Sequence, residues 1–208
     1  MKNNLRGLYA ITDAHESNPE KIRRDVDAAL RGGTRLVQYR DKGSDALLRE
    51  QTARDLLAAA TRYGATLIIN DDIRLAWKVG AHGVHLGQDD NTLLEARATL
   101  GPDAIIGISC YNRFDLAQLA VEAGASYVAF GRFFPSRTKP QAAPAGLDLL
   151  VRAKRELTVP VAAIGGITQD NAGALIDAGA DMLAVVDGLF GAPDIEQAAR
   201  HFQTLCQR

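Results

Sequence analysis

Cysteine is scarce: Cys110 and Cys206 are the only two, too few for a disulfide framework and too far apart for a metal knuckle. Both read as reduced thiols. Neither sign of charge is in excess, with Lys and Arg numbering 24 against 25 Asp and Glu for a net charge of −1. No broad field therefore favours nucleic acid or an anionic membrane, and any anion site must be local. Long hydrophobic runs are missing too. The start, Met1-Lys2-Asn3-Asn4-Leu5-Arg6-Gly7, lacks the apolar stretch of a secretory signal. No later run is long enough to span a bilayer. A cytoplasmic protein without a membrane or nucleic-acid partner is expected. The 208 residues show no composition break and no low-complexity linker, so a single domain covering 1–208 is expected.

What is present is one unit repeated along the chain. Short apolar runs bounded by turn signals lie at Leu8 to Thr12, Leu36 to Gln38, Leu67 to Ile69, Val84 to Leu86, Ile105 to Ile108, Tyr127 to Phe130, Val161 to Ile164 and Met182 to Val186. These read as strands. Between them, apolar residues recur every three or four positions, as in Leu47, Leu48, Ala53, Leu56, Leu57 and Ala60, which is helical spacing. Gly32-Gly33, Gly64-Ala65, Gly80-Ala81, Gly124-Ala125 and Gly179-Ala180 each precede a strand and mark helix exits. Strand and helix alternating about eight times predict a single-domain α/β fold, the parallel (β/α)8 TIM barrel. An open doubly wound sheet is the alternative, but no Gly-x-Gly-x-x-Gly opens the first helix.

In such a barrel, residues at the C-terminal strand ends gather on one face. After the second strand stands Gln38-Tyr39-Arg40-Asp41-Lys42, where alternation puts Gln38 and Arg40 on the side of Leu36. Arg40 and Asp41 could equally form a solvated pair. The third strand ends in Asn70-Asp71-Asp72, and the fourth leads into Gly87-Gln88-Asp89-Asp90. Carboxylates from adjacent strand ends are hard oxygen ligands of the kind Mg²⁺ takes, usually one or two, completed by water and phosphate oxygens. Asp72, and Asp90 or Asn91, could instead cap helices.

The sixth strand runs into Gly131-Arg132-Phe133-Phe134-Pro135-Ser136-Arg137-Thr138-Lys139-Pro140, dense in cations and hydroxyls suited to clamping phosphate. The seventh ends in Gly165-Gly166 and the eighth in Val186-Asp187-Gly188. Barrel loops at these places often cradle a phosphate through backbone N–H groups, although Gly165-Gly166 alone reads as a tight turn.

Taken together, Tyr9-Ala10-Ile11-Thr12-Asp13, Gln38-x-Arg40-x-Lys42, Asn70-Asp71, Gly83-Val84-His85-Leu86-Gly87-Gln88, Ser136-x-Thr138-Lys139 and Ala163-Ile164-Gly165-Gly166-Ile167-Thr168 resemble the thiamine-phosphate synthase family, in order, from about Leu8 to Phe190. The resemblance implies a transferase. It would condense 4-amino-5-hydroxymethyl-2-methylpyrimidine diphosphate with a thiazole phosphate, or its 2-carboxylate, giving thiamine phosphate and pyrophosphate with Mg²⁺ as cofactor. Carried over residue by residue, Gln38, Arg40, Lys42, Asn70, Ser109 and Lys139 would contact the pyrimidine diphosphate. Arg40, Lys42, Ser109 and Lys139 would form the catalytic set. Asp71 and Asp90 would hold the metal, and Ser136, Thr138, Gly166 and the Val186-Asp187 backbone the thiazole phosphate. The chain departs from the family in two places: Ser136 stands where threonine is common, and Asp187 where a small hydroxyl residue is common. The partners implied are small molecules, and homo-oligomer formation stays open.

Some residues read as structural. His85 is expected to be a barrel histidine held by neighbouring hydrogen bonds. Trp77 is expected to pack, and Cys110 carries no sign of a lowered thiol pKa. The nearest rival activity is a thiazole tautomerase, which needs no metal or diphosphate set. A non-catalytic sensor of thiamine precursors is the rival of another class.

Overall fold

A computed structural model describes residues 5–87, 93–135 and 143–207. Eight strands run β1 Gly7–Ile11, β2 Leu36–Tyr39, β3 Thr66–Asn70, β4 Gly83–Leu86, β5 Ile105–Ser109, β6 Tyr127–Phe130, β7 Val161–Ile164 and β8 Met182–Val185. Helices alternate with them: α1 Pro19–Arg31, α2 Ala46–Arg62, α3 Ile73–Val79, α4 Leu93–Leu100, α5 Phe114–Glu122, α6 Leu147–Glu156 and α7 Ala172–Asp177. A short α8, Asp187–Phe190, and then α9, Ile195–Leu205, follow β8. Every strand pairs in parallel with its neighbours in sequence, and β1 pairs with β8, so the sheet closes into the expected barrel.

Strands covered on both faces bury consecutive residues, which is why the apolar runs are nearly continuous. Along β1, Leu8 and Ala10 face the helical layer while Tyr9 and Ile11 face the barrel interior. The interior is filled by side chains such as Leu36, Ile68, Ile105 and Met182, so the lower barrel is a packed core rather than a pore. The helix-exit glycines behave as expected; Gly64 and Gly80 take φ of 62° and 73°, a region that is costly for other residues. No helix among the described residues is long and apolar enough to cross a membrane.

Two strands end one residue earlier than the sequence reading, for visible reasons. Thr12 falls outside β1 because its hydroxyl turns to the backbone of Arg40. Val186 leaves β8 to become the N-cap of α8. The expectation for Trp77 is wrong: it is 66% exposed, because Ile73, Leu75, Ala76 and Val79 supply the buried side of α3.

Helix ends are held by ordinary caps. Asp194 accepts from Gln197 N at 2.9 Å at the start of α9, so Asp194→Ala is expected to cost about 1 kcal/mol. A urea titration checks this, with the midpoint falling and the slope unchanged.

Candidate active site

A pocket of about 320 Å³ opens at the C-terminal strand ends. Gln38, Arg40, Asn70, Ser109, Gly166, Val186 and Asp187 all line it, so seven residues singled out in the sequence meet in one cavity. Lys42 and Asp71 stand beside one another, with Lys42 Nζ 3.7 Å from Asp71 Oδ2. Asp90, Ser136, Thr138 and Lys139 lie outside the described residues.

The β2 end is built by two local devices. Thr12 Oγ1 accepts from Arg40 N at 2.8 Å and donates to Arg40 O at 2.9 Å, clamping the backbone that carries the guanidinium. Asp41 does not pair with Arg40. Its carboxylate accepts from Gly43 N, Ser44 N and the Tyr39 hydroxyl, at 2.9, 2.9 and 2.8 Å. Burial pulls the Asp41 pKa upward, but these hydrogen bonds together outweigh it and leave the group below its ordinary value. Asp41 thus shapes the loop. Among the described residues the Arg40 guanidinium has no carboxylate partner, and it lines the pocket.

At the β3 end the two adjacent acids have separate tasks. Asp72 caps α3 by accepting from Leu75 N at 2.8 Å and pairs with Arg49 at 3.2 Å. Asp71 is held at φ 64°, with its N–H donating to His85 O at 2.8 Å. A non-glycine residue in that conformation costs about 1–2 kcal/mol, the kind of local strain that clusters at functional sites. Tyr111, just after β5, is the other such residue among those described, at φ 51°, and it also lines the pocket.

The opposite rim combines main chain of the loops after β6, β7 and β8 with Arg132, Thr168 and Asp187. Phe133 N and Phe134 N donate to Ile164 O and Gly165 O, both at 3.1 Å, so the loop after β6 lies along the loop after β7. Its aromatic pair is half-buried and packs on the outer core. A Cβ at Gly166, where φ is 61°, would stand 2.2 Å from Pro135 O; one at Gly188 would stand 2.2 Å from Ile167 O. The chains approach as they do because both residues are glycine. Asp187 is exposed at this rim, where solvent screens its carboxylate.

The pairing of Tyr9 with Tyr127 was not anticipated. Their hydroxyls are 2.7 Å apart beneath the pocket, and Gln38 Nε2 donates to Tyr9 Oη at 2.6 Å. His85 is held as expected, Nδ1 2.9 Å from Tyr127 Oη and Nε2 2.9 Å from Ser109 Oγ. Burial raises both phenols well above the usual range. A lone tyrosine on a strand reads as packing, and no local spacing reveals a partner 118 residues away. Burial likewise pushes the Cys110 thiol up to about 12, so it is an inert packing residue.

The chain matches a family described as "Thiamine monophosphate synthase" over residues 8–189. It is 56% identical to the thiamine-phosphate synthase of Thioalkalivibrio sulfidiphilus over 201 residues, 97% of this chain and 95% of that one. With that of Thiobacillus denitrificans it shares 53% over 199 residues, 96% and 94% of the two chains. The solved thiamine phosphate pyrophosphorylase from Pyrococcus furiosus superposes with a TM-score of 0.87 at 30% identity, covering 99% of this chain and 97% of the other. With the barrel closed, the strand-end residues gathered and the match running across nearly the whole chain, this protein belongs to the thiamine monophosphate synthase family.

Proposed function

We propose that the pocket synthesises thiamine phosphate, taking 4-amino-5-hydroxymethyl-2-methylpyrimidine diphosphate on its β2 to β5 side and a thiazole phosphate on its β6 to β8 side. The observation that carries this reading is the division of one cavity into two chemistries. Amide, hydroxyl and guanidinium groups of Gln38, Arg40, Asn70 and Ser109 line one arc, and the main chain around Gly165, Gly166 and Gly188, together with Arg132 and Thr168, lines the other. The first suits a diphosphate and a polar ring; the second offers close backbone approach to a smaller anion.

In the reaction, the bond between the pyrimidine methylene and the diphosphate oxygen breaks, and pyrophosphate leaves with the electron pair. The amino-substituted ring delocalises the positive charge left behind. The thiazole nitrogen then supplies its lone pair to the methylene carbon, so no side-chain nucleophile is required. Arg40, Lys42 and Lys139 are proposed to meet the negative charge that accumulates on the leaving group. Fixed cations in a partly dry site act most strongly there.

Asp71 and Asp90 are proposed to hold Mg²⁺. Among the described residues no group of three or more His, Cys, Asp and Glu could hold a metal. One or two carboxylates plus phosphate oxygens and water are nevertheless what Mg²⁺ ordinarily uses. The turned backbone at Asp71 and its half-buried carboxylate beside Lys42 fit that role. Bound there, the ion would neutralise the departing pyrophosphate.

Calorimetric titration with inorganic pyrophosphate and Mg²⁺ tests the diphosphate half. Wild-type protein is expected to bind, and Arg40→Ala to bind about 10–100-fold more weakly, the loss that goes with one charge-assisted contact. Equal affinities would remove Arg40 from the subsite.

A further inference from the structure

His85 on β4 and Tyr127 on β6 are separated by the whole of β5, yet Nδ1 and Oη are 2.9 Å apart. The register shows how they meet. Gly107 of β5 pairs with His85 on one side and with Tyr127 on the other. A Cβ at Gly107 would stand 2.0 Å from Tyr127 Cζ and 2.3 Å from its hydroxyl oxygen. The missing side chain is therefore a window through which the two rings stack, with centroids 5.6 Å apart and planes at 27°. From Tyr127 the hydrogen bonds continue to Tyr9 and Gln38, and from His85 to Ser109. One connected path thus crosses the barrel floor between Gln38 and Ser109, which line the same arc of the pocket.

Proton counting gives the path a direction. An amide nitrogen only donates, and a phenol has one proton to give. Both phenols keep that proton, since burial holds them far above their ordinary range. With Gln38 donating to Tyr9, one order gives each phenol proton an acceptor within the path: Tyr9 donates to Tyr127 and Tyr127 donates to His85 Nδ1. The imidazole then carries its proton on Nε2 and gives it to Ser109 Oγ, which turns the Ser109 proton away from the ring.

We propose that this path is proton-ordered, that it holds His85 as the neutral Nε2–H tautomer, and that Gly107, Tyr9 and Tyr127 are positioning residues coupling Gln38 to Ser109. Its catalytic consequence rests on the assignment of the pyrimidine to these two residues. The edge of an aminopyrimidine alternates ring-nitrogen acceptors with an amine donor, so a site that reads it needs groups of set polarity. An ordered floor supplies them before the ligand arrives, which removes an ordering cost from binding.

Long-range ¹H–¹⁵N correlation on ligand-free, ¹⁵N-labelled protein at mildly alkaline pH reads the tautomer directly, with His85 assigned by its loss in His85→Asn. The wild type is expected to show Nε2–H alone. Tyr127→Phe, and separately Gly107→Ala, which removes no polar group, are expected to give mixed tautomers. Each should raise KM for the pyrimidine diphosphate by up to about tenfold, the range for one hydrogen bond, and leave KM for the thiazole phosphate unchanged. A wild-type imidazole protonated on Nδ1 would mean a reversed path and would overturn the proposal. So would wild-type imidazole signals in both variants, or equal rises in both KM values. If the wild type makes no product, the assigned reaction fails, while the imidazole spectra still decide the proton order.

Discussion

Asp71→Asn is expected to lower kcat/KM by about 10²–10³-fold, the loss typical of removing one electrostatic group that acts on developing charge. The backbone argues that this loss would be chemical rather than structural. Asp71 sits at φ 64°, and asparagine tolerates that region at least as well as aspartate. The N–H bond to His85 O survives the change. Unfolding should therefore shift by no more than about 0.5 kcal/mol, while the Mg²⁺ concentration for half-maximal rate rises. Asp72→Asn is the control, because asparagine also caps helices and Asp72 is already committed to Leu75 N and Arg49. A magnesium titration of Asp71→Asn that overlays the wild type would remove Asp71 from the metal site.

Gly166→Ala is expected to raise KM for the thiazole phosphate about 100-fold, with a smaller effect on the pyrimidine diphosphate. Two costs combine. At φ 61° a side chain is strained by about 1–2 kcal/mol. The new Cβ would also stand 2.2 Å from Pro135 O and 2.9 Å from the Phe134 carbonyl carbon. Those neighbours are main chain and cannot rotate aside, so the loops after β6 and β7 must separate and the rim between them must change shape. Stability should fall by about 1–3 kcal/mol. Steady-state kinetics with each substrate varied in turn, alongside thermal unfolding, separates the two effects. An unchanged thiazole KM would place that substrate elsewhere.

The barrel was legible in the sequence because parallel strands buried on both faces leave continuous apolar runs, and because glycine closes several of the helices before them. The site was legible where strand alternation sends long polar side chains inward, as at Gln38 and Arg40. Two alternatives needed geometry. Asp41 could have paired with Arg40, and only the turn that delivers Gly43 N, Ser44 N and the Tyr39 hydroxyl to its carboxylate shows that it does not. Trp77 looked like core until the phase of α3 turned it outward. Gly107 carried no signal at all. Its meaning depends on the register of β4, β5 and β6 together, which no local spacing encodes. Tyr9 and Tyr127 were hidden for the same reason, since their partner is each other across the barrel.

The central claim is that one pocket joins two substrates at the C-terminal strand ends. Mass spectrometry of the purified protein incubated with the pyrimidine diphosphate, the thiazole phosphate and Mg²⁺ tests it most directly. Thiamine phosphate and pyrophosphate should appear in equal amounts, and only when both substrates are supplied. Thiazole isomerised without pyrophosphate release, or both substrates recovered unchanged, would contradict it.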